Sequence, residues 1–317
     1  MDYFTVSPAP HIRTQESASR IMLDVVIALI PAGIVSIFVN GVGVLWTILI
    51  SIVTAVLTEY LIQKFMKKPV TINDFSAVVT GILMAYNLPP GAPWWLAVIG
   101  SFLAIALVKQ LFGGLGHNFM NPALAARAIL LAAWPVRMTT WVLPDAVTSA
   151  TSSATPLAMM EGTWASASKL PSFLDVFLGN IGGSIGETSS VALLIGAAYL
   201  LVRKVISWRI PVTYIATTFI LTVLLGGHGL YGAFYQIFLG GLILGAFYMA
   251  TDYSSSPITP KGQIIMGIGC GILTAVIRIY GGYPEGVSYS ILLMNVVTPL
   301  IDKYTMPKIY GEGKAHA

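Results

Sequence analysis

Long apolar stretches, separated by short breaks rich in glycine, proline and charge, recur along the whole chain. About 20 apolar residues in a helix cross the hydrocarbon core of a bilayer. Hydropathy delimits ten such stretches, near residues 21–39, 42–63, 75–88, 93–112, 120–136, 188–202, 210–226, 231–250, 262–280 and 284–301. The pattern predicts an all-α integral membrane protein with about ten transmembrane helices.

The third stretch is the short one. Pro89, Pro90 and Pro93 follow it closely. Because proline ends a helix, and broken helices at membrane depth are tolerated only inside a protein, we expect a broken or tilted segment packed in the interior.

The composition is typical of a protein that lies mainly within a membrane. Of 317 residues, 56% are hydrophobic and 9% are charged, with a mean hydropathy of +0.80. A soluble domain carries roughly 25% charged residues. Residues 1–20 before the first stretch are polar or mixed, and no small-residue cleavage pattern follows it, so it is predicted to remain as the first span.

Lysine and arginine predict the orientation, since cytoplasmic segments retain positive charge. With a cytoplasmic N-terminus, the inner segments collect Arg13, Arg20, Lys64, Lys67, Lys68, Lys109, Arg203, Lys204, Arg209, Lys261, Lys303, Lys308 and Lys314. The outer segments then hold only Arg137, Lys169 and Arg278. Both termini are therefore predicted to be cytoplasmic, and the segment from 137 to 187 is predicted to face outward.

The two halves of the chain resemble each other weakly. GILMAYNLPPGAP at 81–93 is echoed by GAFYMATDYSSSP at 245–257, and GGLGHNFMNPALAARAILL at 113–131 by GGYPEGVSYSILLMNVVTP at 281–299. Five spans is an odd number, so a duplication would place the halves with opposite polarity. We expect an N-terminal segment at 1–20, a first repeat at 21–136, the outer segment at 137–187, a second repeat at 188–301 and a C-terminal tail at 302–317. A chance likeness of two glycine-rich apolar sequences is the alternative.

Several kinds of chemistry are excluded by what the sequence lacks. Cys270 is the single cysteine, so no intrachain disulfide or cysteine-held iron–sulfur cluster can form. His117 has no second ligand at metal-binding spacing, and no Walker loop, Gly-x-Ser-x-Gly or His-Glu-x-x-His motif occurs. A net charge of +4 is too small and scattered for nucleic-acid binding. Any redox cofactor must be organic or belong to another subunit.

Charged residues inside apolar stretches are costly and usually functional. Asp24 and Glu59 are candidates for an ion pathway; the alternative is a buried pair with Lys64 or Arg20 near the interface. Asp252 and Glu285, in the echoed segments, are further ion-pathway candidates that we expect to approach the symmetry axis, unless they are end caps like Asp74 and Asp302. Arg127 lies deep in the fifth stretch and needs a carboxylate, carbonyl or flavin oxygen as partner.

One outer stretch, DAVTSATSSATPLAMM at 145–160, is small, hydroxyl-rich and nearly uncharged. Thr155-Pro156 has the form of a helix cap followed by proline at the first helical position, so a plain loop leading into a short helix is one interpretation. Small neighbours around an exposed hydroxyl also suit a site of covalent modification.

The chain resembles the RnfD/NqrB family of membrane redox subunits, and most of all its RnfD members. SPAPHIR (7–13), GGLGHNFMNPA (113–123), PVRMTTW (135–141), ATPL (154–157), GGYPEGVSYSILLMNVVTPLID (281–302) and MPKIYG (306–311) carry the likeness. It runs from end to end in the same order and with similar spacing.

The resemblance implies that a threonine in the outer segment carries FMN as a phosphoester, installed outside the cytoplasm by a flavin transferase. The family motif has the form Asp-x-x-Ser/Thr-Gly-Ala-Thr. Here Asp145 has the family spacing to Thr151, whereas the Pro-Leu that should follow the motif comes after Ser153, Ala154 and Thr155, and serine replaces the usual glycine. We expect attachment at Thr155, with Thr151 as the alternative.

The resemblance also implies a second, non-covalent flavin such as riboflavin in the helical core. Asn118, Asn121 and Arg127 are its candidate ligands, because the glycines near Asn118 look like an interrupted helix; a simple glycine-rich turn is the alternative.

By resemblance, the chain is a multi-pass subunit of the prokaryotic cytoplasmic membrane in a ferredoxin:NAD+ oxidoreductase that moves Na+ or H+. Its expected partners are the other membrane, iron–sulfur and flavoprotein subunits, the flavin transferase and membrane lipid. No nicotinamide chemistry is expected in this chain itself. The rival class is a non-redox secondary transporter or channel built on an inverted repeat, which has no use for the hydroxyl-rich outer stretch.

Overall fold

Helices account for nearly all the regular structure in the computed structural model, which describes residues 17–142, 152–153, 157, 160, 171–187, 189–227, 229–281 and 286–307. The first half contains α1 (Ala18–Asn40), α2 (Gly43–Phe65), a 3-10 turn (Ile72–Asp74), α3 (Ser76–Tyr86), α4 (Trp94–Leu103) with a π-helical extension (Ala104–Gln110), α5 (Pro122–Ala133) and α6 (Pro135–Met138). The remainder contains α7 (Phe173–Leu178), α8 (Ser190–Val202), α9 (Arg209–Leu225), α10 (Gly229–Ile237), α11 (Leu242–Leu244) with a π-helical extension (Gly245–Met249), α12 (Pro260–Tyr280) and α13 (Val287–Thr305).

Local sequence signals explain where several helices begin. The Ser17 side chain caps α1 by accepting from the backbone N–H of Arg20. Thr259 caps α12 by accepting from Gly262 N–H, and Pro260 occupies the first turn, where no intrahelical donor is needed. The expected short third segment is confirmed as α3, which ends before the proline pair at 89 and 90.

The long helices bury polar residues and expose apolar ones. In α2, the buried set includes Thr47, Ser51, Thr58, Glu59 and Gln63. The outward side of α1 presents large apolar side chains, namely Leu23, Ile27, Ile30, Ile34 and Phe38. A protein surrounded by water would have the opposite distribution, since exposed apolar faces of this extent are stable only against lipid or another protein.

Helix length and composition identify three membrane-span candidates in the described part of the chain, which are α1, α2 and α12. The pair Gly229–Ile237 and Leu242–Met249 also passes if it is taken as one span bent by 59°. The ten predicted stretches all coincide with helical segments, but ten complete spans and the positions of the termini remain predictions.

The two halves use similar helix pairings. The second helix of each half packs against the fourth, as α2 on α4 and α9 on α12. Across the halves, α1 packs on α8 and α5 on α13. Gly267 and Gly271 of α12 let it approach α9 closely, because added Cβ atoms there would lie 2.8 Å from the Ile210 carbonyl oxygen and 3.0 Å from the Tyr214 carbonyl oxygen.

The predicted continuous helix over 231–250 is wrong. The chain breaks between α10 and α11, where Gly240 and Gly241 have φ of +64° and +67°. L-residues rarely adopt this left-handed conformation, so two consecutive glycines allow a break that the uninterrupted hydropathy does not reveal.

The described part of the outer segment packs onto the helices. Residues Trp141–Val142 (β1) and Ser152–Ser153 (β2) form a two-residue antiparallel pair, with Ser153 opposite Trp141. Leu157 and Met160 are buried and helical, and they pack in a small cluster with Val176, Ile181, Tyr235 and Leu239. The chain on both sides of residues 154–156 is therefore fixed to the body of the protein.

Candidate functional sites at the two ends of the helices

Two groups of helix ends define two candidate sites. We call the end where α1, α3 and α5 begin and α2 finishes the inner end, after the predicted sidedness. The opposite end, where α9 and α12 finish, is called the outer end. Polar and charged side chains gather at both ends.

A pocket opens at the inner end between the two halves. It encloses about 760 Å³ of empty space, including its opening. Its walls are largely apolar, with Val25, Leu83 and Phe247 among them. Its polar rim comprises Ser76, Thr80, Lys109, Asn118, Asn121, Thr251 and Asp252. This combination suits a flat ligand with an apolar body and polar edges.

Asn118 and Asp252 join the halves at this pocket. Asn118 Nδ2 donates to Asp252 Oδ2 at 3.1 Å and to the Met120 carbonyl oxygen at 3.1 Å, while Ser254 Oγ donates to Asn118 Oδ1 at 2.7 Å. Burial raises the pKa of Asp252 above its ordinary value, although hydrogen bonds from Ser255, Asn118 and Ser254 oppose the shift. The pocket therefore has a carboxyl group that binds its proton more tightly than an exposed aspartate does.

Asn121 caps the start of α5 at the same pocket. Its Oδ1 caps α5 by accepting from the backbone N–H of Ala123 and Leu124, and its Nδ2 donates to the Met249 carbonyl oxygen at 3.3 Å. The preceding segment is a turn with positive φ at Gly113, Gly114 and Gly116. These glycines form a turn between the π-helical extension of α4 and α5, and both asparagines line the pocket from it.

Glu59 is paired, but with a residue other than those considered from the sequence. Lys109 Nζ lies 2.9 and 2.8 Å from its two carboxylate oxygens, and Gln110 Nε2 donates to Oε1 at 2.8 Å. Lys64 instead lies over the Tyr60 ring. The π-helical extension directs the Lys109 side chain into the protein interior. Lys109 was counted only as a positive charge on the cytoplasmic side, so its buried partner was not predicted.

Lys109 also connects this ion pair with the inner pocket. Its Nζ donates to Ser76 Oγ at 2.6 Å, and Ser76 Oγ donates to Asp74 Oδ1 at 2.5 Å. Lys109 and Ser76 both line the pocket. A positive charge held by two carboxylate oxygens thus borders the ligand space.

Asp24 also has a partner that the sequence did not indicate. Tyr199 Oη donates to Asp24 Oδ1 at 2.7 Å, and Arg203 Nη2 lies 3.1 Å from Oδ2. Both partners come from α8 and the residue after it, whereas Arg20 and Lys64 were the expected candidates. The pair connects the first helix of each half at the inner end.

Arg127 lies in the interior between the two ends. Its Nη1 donates to Asn87 Oδ1 at 2.9 Å and lies 3.5 Å from Glu187 Oε1. Glu187 reaches this position because Ile185 and Gly186 donate backbone hydrogen bonds to the Leu88 and Tyr86 carbonyl oxygens. The expected carboxylate partner therefore exists, and it comes from the end of the outer segment.

Arg278 forms the polar centre of the outer end. Only 6% exposed, it donates from Nη1 to the Gln236 carbonyl oxygen and from Nη2 to the Leu239 carbonyl oxygen, both at 2.8 Å. Gln236 lies in the last turn of α10 and Leu239 two residues after the helix, so the cation is at the C-terminal end, where the helix dipole is favourable. Arg278 lies in the last turn of α12, within the predicted stretch at 262–280, rather than in a loop beyond the helix.

A cavity beside Arg278 is lined in part by residues that follow the predicted attachment site. It has about 940 Å³ of empty space, including its opening, and its lining includes Leu157, Met160, Gln236 and Arg278. Arg278 Nε is buried and has no hydrogen-bond partner among the described residues.

Several predicted site residues lie outside the described residues, namely Asp145, Thr151, Ala154, Thr155 and Glu285. Ser153 is described through its backbone, as part of β2. Of the other candidates, Asn118, Asn121 and Asp252 meet at the inner pocket, while Arg127, Glu59 and Asp24 occupy separate polar clusters.

Sequence reasoning missed three charged residues, which are Lys109, Glu187 and Arg278. Lys109 and Arg278 were counted only as topology signals, and Glu187 lies just before the apolar stretch at 188–202. Interior placement was indicated for Lys109 and Arg278, since residues 109 and 278 belong to the apolar stretches at 93–112 and 262–280. Among the described residues, no group of three His, Cys, Asp or Glu could hold a metal ion.

Apolar outer faces, buried ion pairs and a broken helix together define a helical membrane protein. The chain belongs to the NQR2, RnfD, RnfE family, whose model matches residues 5–311. A relative from Acetobacterium woodii is 54% identical over 313 residues, covering 98% of this chain and 96% of the relative; it is named as the D subunit of a Na+-translocating ferredoxin:NAD+ oxidoreductase complex.

Two further relatives carry related names. One from Clostridium ljungdahlii, the D subunit of a proton-translocating ferredoxin:NAD+ oxidoreductase complex, is 47% identical over 320 residues and covers 97% of this chain and 96% of the relative. One from Stutzerimonas stutzeri, the D subunit of an ion-translocating oxidoreductase complex, is 38% identical over 331 residues, with 94% and 93% covered. The likeness thus extends over nearly the whole length of each chain.

Proposed function

We propose that this chain is the membrane subunit of an Rnf-type ferredoxin:NAD+ oxidoreductase that couples electron transfer to transport of Na+ or H+. It carries electrons on FMN attached covalently to Thr155, ten spans hold that flavin in the membrane complex, and both termini are cytoplasmic. The other Rnf-type subunits surround it in a prokaryotic cytoplasmic membrane.

The observation that carries the redox role is the end-to-end match with relatives named as the D subunits of such complexes. The similar helix pairings in the two halves support the inverted five-plus-five arrangement. Lys109, which the charge pattern assigns to the inner side, lines one pocket together with Ile21 near the start of α1 and Ser76 at the start of α3.

Attachment at Thr155 is a phosphoryl transfer. The threonine hydroxyl oxygen forms a bond to the flavin-side phosphorus of a flavin nucleotide with a diphosphate bond. The bond to the nucleoside monophosphate breaks, and the hydroxyl proton leaves to a base of the transferase. Small neighbours such as Ser153 and Ala154 suit this reaction because they leave the hydroxyl accessible.

The outer end fits a group tethered at residue 155. Leu157 is buried beside Gly240 and Arg278, at the wall of a cavity, and an arginine with a spare buried donor suits a phosphodiester. The flavin supplies one- and two-electron chemistry that no side chain provides. The protein's part is to hold it in place and to exclude water from it.

A second, non-covalent flavin is proposed for the inner pocket. Its apolar walls suit a fused aromatic ring, and the carboxyl, amide and ammonium groups of Asp252, Asn118 and Lys109 suit the polar edge of an isoalloxazine. Asn121 contributes by fixing the start of α5, and Arg127 acts at a distance by holding Asn87 and Glu187 in place.

The ion pathway is proposed to use Asp24, Glu59 and Asp252, together with Glu285. The first two are buried carboxylates held by cations, so an incoming cation must compete with Arg203 or Lys109 for them. Asp252 differs in having neutral hydrogen-bond donors around it.

Intact mass and in-gel flavin fluorescence of the denatured chain test the attachment. Wild-type protein made with the flavin transferase should gain the mass of one FMN less one water and fluoresce, Thr155→Val should lose both signals, and Thr151→Val should retain both. Loss with Thr151→Val alone would move the site. An unmodified wild-type chain would favour the rival class, a non-redox transporter.

A further inference from the structure

Lys109 belongs to two polar sites at the inner end. Its Nζ lies 2.9 and 2.8 Å from the carboxylate oxygens of Glu59 and donates to Ser76 Oγ at 2.6 Å. Lys109 and Ser76 line the inner pocket, whereas Glu59 is fully buried in α2 and is not part of the described lining. One ammonium group therefore neutralises a buried carboxylate and also borders the ligand space.

Glu59 depends on Lys109 for the neutralisation of its charge. Its Oε1 also accepts from Gln110 Nε2 at 2.8 Å and from Gln63 Nε2 at 3.2 Å, but both of these donors are neutral. Within the described residues, Oε2 accepts only from Lys109. If the ammonium left, the carboxylate would stay buried without a counter-charge, which is strongly unfavourable. Another small cation would then have to take its place.

Lys109 is the one positively charged residue in the described lining of the inner pocket, where the other ionisable side chain with an ordinary charge is Asp252. Since the pocket walls are largely apolar, a negative charge on the ligand would be poorly screened and would attract the ammonium strongly. Lysine has a flexible stem, and the Ser76 hydroxyl already holds its Nζ at the pocket wall. The ammonium can therefore exchange Glu59 for a charged ligand without a change in the helices.

We propose that Lys109 changes its partner according to the charge of the ligand in the inner pocket. With a neutral ligand, the ammonium pairs with Glu59. When two electrons from a neighbouring redox subunit and one proton from solvent convert a flavin there into an anion, the ammonium pairs with that anion. Glu59 receives one H+ or Na+ from the inner side in exchange. This inference rests on the proposed second flavin, and it connects that flavin with the Glu59 part of the proposed ion pathway.

Affinities for riboflavin in two redox states test the exchange. The full chain is made without the transferase, so that no flavin is attached covalently, and riboflavin is bound by anaerobic dialysis, either oxidised or reduced by dithionite. Glu59→Gln combined with Lys109→Met removes both charges and leaves no unpaired buried charge. This double variant should bind oxidised riboflavin within about twofold of wild type and reduced riboflavin about tenfold more weakly. Equal changes in both affinities contradict the proposal, because a structural defect affects both forms alike.

Glu59→Gln alone should have the opposite effect. It keeps the ammonium and removes the carboxylate that competes for it, so reduced riboflavin should bind several-fold more tightly than to wild type. Lys64→Met is the matched control, because Lys64 belongs to the same end of α2 but is exposed and lies over the Tyr60 ring. It should leave both affinities unchanged. Weaker binding of reduced riboflavin by Glu59→Gln contradicts the exchange.

Infrared difference spectra of the riboflavin-loaded chain report on Glu59 directly. Reduction should produce a carboxyl signal that is present in wild type and absent in Glu59→Gln. A new acid carbonyl band identifies H+ as the cation taken up, whereas a carboxylate band that shifts when Na+ is replaced by Li+ identifies Na+. A spectrum without any signal that depends on Glu59 contradicts the proposal. A wild-type chain that binds riboflavin in neither redox state instead identifies failure of the proposed second flavin itself.

Discussion

Lys109 Nζ lies 2.9 and 2.8 Å from the two carboxylate oxygens of Glu59, in a cluster where both side chains are almost inaccessible to solvent. Glu59 comes from α2, and Lys109 from the π-helical extension of α4. Removal of one charge from such a pair is strongly destabilising, because the remaining charge stays buried without a partner. Removal of both charges leaves no uncompensated charge.

Removal of one partner should therefore cost far more than removal of both. We expect Glu59→Leu or Lys109→Leu to lower the free energy of unfolding by about 3–5 kcal/mol, and the double variant to be close to wild type. Reversible unfolding in mixed micelles measures the differences. Lys64→Leu is the matched control, and since Lys64 is exposed over Tyr60, its effect should be small. Additive single and double effects contradict the pairing.

The helix break at Gly240 and Gly241 predicts that two alanine substitutions lower the free energy of unfolding by different amounts. Gly241 and Gly227 share a φ of +67°, but an added Cβ at Gly241 would overlap Glu187 Oε1, whereas no described atom lies within 4 Å at Gly227. Gly227→Ala should cost about 1–2 kcal/mol for the left-handed backbone alone. Gly241→Ala should cost about 1–3 kcal/mol more because Glu187 must move away from Arg127.

Thermal unfolding of the two glycine variants gives the comparison. A second consequence is local, since a displaced Glu187 should weaken its contact with Arg127. Arg127→Gln introduced into each background should therefore be less harmful with Gly241→Ala than with Gly227→Ala. Equal costs for both alanine variants would show that the break tolerates a side chain and that Glu187 is not confined there.

Asp252 predicts a pH dependence of stability. Burial raises the pKa of its carboxyl, so the folded chain retains this proton to higher pH than the unfolded chain does. The stabilising contribution is present below the ordinary aspartate pKa of about 3.9 and is lost as pH rises through the raised value. The melting temperature of Asp252→Asn minus that of wild type should therefore increase as pH rises above about 4.

Melting curves across that pH range test the sign directly. The absolute difference at any one pH also includes altered hydrogen bonds with Ser254, Ser255 and Asn118, so the informative quantity is its slope. A constant difference would mean that Asp252 titrates as in the unfolded chain. A difference that shrinks with rising pH would mean that the ionised form is favoured.

Hydropathy and helix-breaking residues were enough to predict where the helices lie. Apolar stretches face lipid or the protein interior because they avoid water. Pro89 and Pro260 mark helix boundaries, because proline is disfavoured within a helix but tolerated in its first turn. The break at Gly240 was not predicted, because it depends on backbone conformation and on the cap that Arg278 provides from another helix.

The candidate site was predicted in part. Asn118 and Asp252 were chosen separately, and the structure joins them at 3.1 Å. Their partnership spans the two halves and has no local signature. The partners of Glu59 and Asp24 were missed for the same reason, because Lys109 and Arg203 are distant in sequence and were counted only as topology signals.

The segment that carries Thr155 is proposed to lie outside the cytoplasm, where the flavin is installed. Cys270 is the single cysteine and is buried, so Cys270→Ala gives a background for site-specific labelling. In that background, a membrane-impermeant maleimide should label Ser166→Cys in intact cells and Lys314→Cys only after the membrane is opened. Labelling of Lys314→Cys in intact cells, with Ser166→Cys protected until lysis, would instead place the Thr155 segment in the cytoplasm.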